Sequence, residues 1–261
     1  MVASAVLFFL TLMLVGFYTY AKTETSGEAD FRYTFENRSY FNGLTFALYA
    51  FYFGSLLVLP IFCATEGGAQ IAGDTTGGTL TLLLTRPISR ARLFFTKLCV
   101  AGSFAAASVA LLLFLALTVG LFAVGWGELR LYPGVLQMTE ARQTLSQGEA
   151  LRGFLYTWPA ASLALAAPLS LSFLVASFSR STVNAVGLSV ALYFVMYVVS
   201  EVHFFEELRP LLFTSYMSYW RGFFREEIDW SAILRDGTRL LGFSCLFIAA
   251  SLHRFRTREE H

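Results

Sequence analysis

The sequence predicts an all-α membrane protein with six transmembrane helices, and two observations carry that reading. Of 261 residues, 56% are hydrophobic, 16% are aromatic and only 14% are charged, with a mean hydropathy of +0.59. A soluble domain carries about 25% charged residues, and a disordered chain is poor in aromatics and rich in charge. The apolar residues also fall into long charge-free runs, and about 20 such residues in a helix cross a bilayer core. The net charge of +1 supplies no global basic field for nucleic acid.

The runs can be taken in order. Met1–Ala21 is the first; its apolar length exceeds that of a signal peptide, and it lacks a basic leader and a small-residue cleavage site, so it is read as a retained helix. It opens without a polar leader, which leaves room for an upstream segment. The second run, Ser39–Thr65, is most apolar over Leu44–Ala64, and Leu98–Gly127, Gly153–Ser179 and Ser181–Ser200 follow. Leu240–Leu252 alone is short for a span, and reaches spanning length by starting near Ile233 and holding Arg235, Asp236 and Arg239 at its outer end. The spans are therefore expected at about 1–21, 43–64, 98–126, 154–178, 182–202 and 233–253.

Orientation follows Lys and Arg close to span ends. The cluster Arg86, Arg90, Arg92 and Lys97 directly precedes the third span, and Arg180, Arg254, Arg256 and Arg258 lie on the same side. Both termini are accordingly expected in the cytoplasm. On the other side, Leu208–Phe224 is aromatic, broken by Pro210, and too short and polar to span. It is expected to form an interfacial or re-entrant helix with Tyr216, Tyr219 and Trp220 at headgroup level.

Small residues allow close helix approach in lipid. Gly102, Ala105, Ala106, Ala107 and Ala110 form such a stripe in the third span, and Ala160, Ala161, Ala164, Ala166 and Ala167 in the fourth. The three cysteines, Cys63, Cys99 and Cys245, match no metal spacing and are expected to be buried free thiols.

Residues 66–97 carry the most information. Glu66–Gly78 is rich in glycine, which permits sharp or close-packed backbone. Thr79–Thr85 is a short apolar run, with Asp74, Thr75 or Thr76 available as its cap, and Pro87 ends it. Ser89 is placed to cap a new helix running through Arg90, Arg92 and Lys97 into the third span. The expected object is a short amphipathic helix along the cytoplasmic face, then a sharp turn.

In this ordered series the chain resembles the type-2 ABC transporter permeases. Their pattern is an acidic residue, Gly-Thr-Leu, a few apolar residues, Pro, a Ser-Arg pair and a Lys opening the next span. Asp74, Gly78-Thr79-Leu80, Leu82-Leu83-Leu84, Arg86-Pro87, Ser89-Arg90 and Lys97 match it. Asp74 stands where the family usually has Glu, with Glu66 earlier in the chain, and no polar helix precedes the first span. In layout the chain is most similar to the permeases of nitrous-oxide-reductase maturation and gliding-motility exporters.

The resemblance implies one permease domain over 1–261, working in the inner (plasma) membrane. It implies a coupling element docked in a groove of a separate ATPase, with Leu80, Leu83 and neighbouring leucines as the apolar face. Gly78, Thr79 and Pro87 would shape that element, and Asp74, Arg86 and Arg90 would fix its register. The implied partners are two ABC ATPase subunits, a second permease copy or homologue, membrane lipid and an extracytoplasmic protein. ATP and magnesium would belong to the ATPase, with no cofactor on this chain. Without the resemblance, a helix resting on anionic headgroups accounts for the same residues equally well.

Catalytic motifs are not expected. Gly16–Thr23 is a near miss to a phosphate loop, with Ala21 in place of the second Gly, and it ends an apolar span. No catalytic or metal set is assigned. Glu201 and His203, at the outer end of the fifth span, form a candidate polar site. A solvated helix end is the plainer reading of that pair. The rival classes are a non-transporting membrane scaffold and a membrane enzyme using Glu201, His203 and outer acidic groups.

Overall fold

The fold was analysed in a computed structural model, which describes residues 2–25, 42–73, 89–131, 136, 143–179 and 181–257. Among these, six long helices dominate: α1 (Val2–Thr25), α2 (Gly43–Gly73), α3 (Arg90–Ala123), α4 (Gln147–Phe178), α5 (Thr182–Glu201) and α6 (Trp230–Thr257). Helices α2 to α5 are long and apolar enough to cross a membrane, whereas the apolar stretch of α1, Val2–Gly16, is shorter.

The helices begin earlier or end later than the apolar runs suggest. Helix α2 continues past Thr65 to Gly73 and contains two π turns, Gly54–Val58 and Ala69–Gly73. Residues 66–73, expected as the start of a polar connection, are helical because their glycines are packed against neighbouring helices. Helix α3 begins at Arg90, where Ser89 Oγ accepts from the Arg92 amide at 3.3 Å, as its capping position suggests. Helix α4 begins at Gln147 behind a capping box that the sequence reading missed. There the Ser146 amide donates to Glu149 Oε2 at 2.9 Å and the Glu149 amide returns a bond to Ser146 Oγ at 3.4 Å. Between α3 and α4, Leu129–Leu131 (β1) pairs antiparallel with Gln143–Leu145 (β2), with Leu129 opposite Leu145. Among the described residues, this small ribbon interrupts an otherwise helical fold.

The chain forms two compact units. The first comprises 1–58, 108–158 and 221–229. Its centre is the start of α2, buried almost continuously from Gly43 to Phe51. Asn42 caps this helix, accepting from the Thr45 amide at 3.0 Å and donating through Nδ2 to the Glu128 carbonyl at 2.7 Å. A Cβ on Gly43 would lie 2.5 Å from the Gly120 carbonyl oxygen, so α2 and α3 cross here backbone to backbone. Gly125, with φ of +100°, turns the chain after α3, and its carbonyl accepts from the Gly43 amide at 2.7 Å. Arg221 lies 5.5 Å from the Tyr52 ring centre and donates to the Leu136 carbonyl at 2.6 Å.

The second unit comprises 59–107, 159–220 and 230–261. Helix α5 turns only Ala185, Ser189, Tyr193 and Ser200 inward. Val183, Leu188, Val195 and Val198 are exposed, a surface suited to lipid. Helix α6 buries Ile233, Gly237, Leu240, Ser244, Ser251 and Phe255, a stripe of three-, four- and seven-residue steps that keeps to one helix face. In α4, Ala160, Ala161, Ala164 and Ala167 are buried as the small-residue stripe suggests. In α3 the buried residues are Ala101, Ala105 and, beyond them along the helix, Val109 and Leu112. Of the small-residue stripe there, Ala105 is buried, Gly102, Ala106 and Ala110 are half-buried, and Ala107 is exposed.

Two further expectations are corrected. Cys63 is buried, but Cys99 and Cys245 are exposed, because each lies on the outward side of its helix. The segment after α5 is three short 3₁₀ helices, His203–Leu211, Phe213–Tyr216 and Tyr219–Phe224, rather than the single interfacial or re-entrant helix expected over Leu208–Phe224. Trp220 is 1% exposed and packs in the protein core. Phe213 explains the inward turn. It packs on Tyr193 of α5 and on Phe243 and Phe247 of α6.

Candidate functional site

The described part of the 66–97 region lies in the second unit, where five helices, α2 to α6, meet. Glu66 and Gln70 are four residues apart and therefore share one face of α2. Gln70 Nε2 donates to Glu66 Oε1 at 2.6 Å, and Lys97 Nζ of α3 donates to the Gln70 carbonyl at 2.6 Å. Gln70 lies within the second π turn, where carbonyls near a helix end need partners from outside the ladder. The lysine thus fastens α3 to the last turn of α2.

Close packing supports this arrangement. A Cβ on Gly67 would overlap Ser172 Oγ of α4, and one on Gly68 would lie 2.8 Å from the Val186 side chain of α5. Ser172 Oγ donates to the Leu169 carbonyl at 2.6 Å and approaches the Cys63 carbonyl at 3.3 Å. Three helices therefore cross at two adjacent glycines.

At the opening turns of α3, Phe94 is fully buried. Its ring centre lies 5.7 Å from that of Phe173 (α4), nearly perpendicular, and 5.8 Å from that of Phe255 (α6). Arg90 Nη1 reaches the Phe255 carbonyl at 3.5 Å. Ser177 and Ser251 hydroxyls meet at 2.8 Å between α4 and α6, and Arg254 lies 5.3 Å from the Phe178 ring centre. The result is an apolar aromatic knot ringed by Arg90, Arg92, Arg254 and Arg256.

Of the coupling residues, Asp74, Gly78, Thr79, Leu80, Leu83, Arg86 and Pro87 lie outside the described residues. Arg90 is half-buried, turned toward α6. Glu201 and His203 are both exposed at the end of α5. The group that organises that end is Arg209, which donates from Nε to the Ser200 carbonyl at 2.9 Å and lies 3.8 Å from Glu206. Among the described residues, no three His, Cys, Asp or Glu side chains are grouped to hold a metal.

Gln70, Phe94, Phe173 and Phe255 were missed by the sequence reading. Two signals existed. Gln70 follows Glu66 at helical spacing, and Phe255 is a lone aromatic between Arg254 and Arg256, an apolar residue with no reason to sit in a solvated tail.

The apolar helices and their small-residue crossings define a multi-pass membrane protein. The sequence profile described as ABC-2 family transporter protein matches residues 1–212, and the chain belongs to that family. No curated protein matches it. A member of this family is a transport membrane subunit rather than a catalytic one, and such permeases typically work with ATPase subunits.

Proposed function

We propose that this chain couples ATP hydrolysis by two separate nucleotide-binding subunits to export of a substrate, or to mechanical work on an extracytoplasmic partner. It acts with a second permease copy or homologue, as one domain of six spans in the inner membrane with both termini cytoplasmic. Helix α6, at 28 residues, has the length of a span even though charges occupy both its ends. The coupling element is 74–90. Its apolar face is Leu80 and Leu83, its backbone is shaped by Gly78, Thr79 and Pro87, and its register charges are Asp74, Arg86 and Arg90. ATP and magnesium reside on the ATPase. The exposed pair Glu201 and His203 is a solvated helix end.

The observation that carries this reading is the membership of the ABC-2 family, together with the ordered motif at 74–97. The anchoring of Lys97 on α2 and of Phe94 against α4 and α6 supports it, because a force applied at residues 74–90 enters three helices at once.

The test is purification of the tagged chain in mild detergent with mass spectrometry of its partners. A stoichiometric ATP-binding cassette subunit is expected. Arg86→Glu combined with Arg90→Glu is expected to weaken its retention while leaving membrane insertion intact. A clean monomer, or partners without an ATPase, returns the chain to the scaffold or enzyme class.

A further inference from the structure

We infer that Phe255 is a positioning residue for coupling, one that locks the last turn of α6 to the start of α3 so that the two helices move as one body. This rests on the coupling function proposed above and assigns it a specific internal route.

Three contacts converge on this turn. Phe94 is clamped between Phe173 and Phe255, Arg90 reaches the Phe255 carbonyl, and Ser177 joins Ser251 one turn earlier. Phe255 is 3% exposed although Arg254 and Arg256 flank it, and Arg256 is exposed. A helix end surrounded by arginines would fray into solvent unless its one aromatic had a seat. Here the seat is the residue pair that opens α3. Aromatic contacts in a close-packed interior do not deform continuously, so a displacement of Phe94 carries Phe255 with it. Helix α6 then receives movement that enters the protein at a distant point of the sequence.

The chain carries its own reporters, since Cys99 lies on α3, Cys245 lies on α6, and both are exposed. In a Cys63→Ala background, both are spin-labelled before assembly with the ATPase subunits. The labelled chain is diluted with unlabelled chain, and the Cys99–Cys245 distance is measured with and without ATP plus vanadate. In the wild type the distance is expected to stay constant. In Phe255→Ala, with ATPase subunits still bound, trapping should shift it by about 2 Å or more, the scale of helix displacements at interfaces. Phe255→Leu should restore the constant distance. A change in the wild type, or identical behaviour of Phe255→Ala and wild type, overturns the inference. If no ATPase accompanies the wild-type chain, the coupling function itself falls and this route falls with it. If the ATPase binds and is stimulated but the distances fail, only the route is lost.

Discussion

Lys97 of α3 places its ammonium 2.6 Å from the carbonyl oxygen of Gln70 in the final turn of α2. A charged donor on a carbonyl within a π turn is among the stronger hydrogen bonds available, and both partners are only partly accessible to competing water. Lys97→Met is expected to lower stability in detergent by about 2 kcal/mol, with Lys97→Arg closer to wild type. Denaturant unfolding of the purified chain checks this. Equal stability of all three proteins would remove the fastening role.

Gly67 makes a different demand. A Cβ there meets Ser172 Oγ, the movable end of a small side chain, and has the Leu169 carbonyl at 3.3 Å behind it. Gly67→Ala is expected to cost about 1–3 kcal/mol through overpacking. Adding Ser172→Ala should recover part of that loss, which a double-mutant cycle reads directly. Strict additivity of the two substitutions would contradict the crossing.

At Gly43 the obstacle is backbone. The Gly120 carbonyl oxygen and carbon and the Leu121 nitrogen all lie within 2.7 Å of its Cβ position. No neighbouring side-chain substitution can make room. Gly43→Ala is therefore expected to lower the thermal midpoint more than Gly67→Ala does, without rescue by truncating nearby side chains. A thermal melt in detergent compares them.

Asn42 performs two tasks, capping α2 and donating to the Glu128 carbonyl. Asn42→Ala should cost about 1–2 kcal/mol, and Asn42→Ser, which keeps the cap alone, should fall between. Hydrogen exchange at the Thr45 amide reports the cap. Unaltered protection in Asn42→Ala would argue against it.

Tyr219 donates from its hydroxyl to the Ala160 carbonyl at 2.9 Å, and burial pushes the phenol up to about 12 from its ordinary value near 10. The folded form therefore holds its proton more tightly than the unfolded form. The stabilisation is fully present below pH 10 and is lost as pH rises through about 12. The stability difference between wild type and Tyr219→Phe should shrink across that window. A difference independent of pH would show that the hydroxyl is not buried in this bond.

Composition and charge-free runs were enough to determine a helical, multi-pass membrane chain, since the bilayer demands both apolar side chains and internally satisfied backbone. Ordered local chemistry at 74–97 was enough to suggest the permease family, and Ser89 marked the start of α3. Helix ends proved harder. The apolar run stops at Thr65, but α2 continues because Gly67 and Gly68 are held by Ser172 and Val186, more than 100 residues away in sequence. The placement of Phe255 was equally invisible, since its neighbours in sequence are arginines and its neighbours in space are Phe94 and, through it, Phe173. Periodicity reports which face of a helix is apolar. Which helix that face meets is decided by long-range packing, and only the tertiary structure contains it.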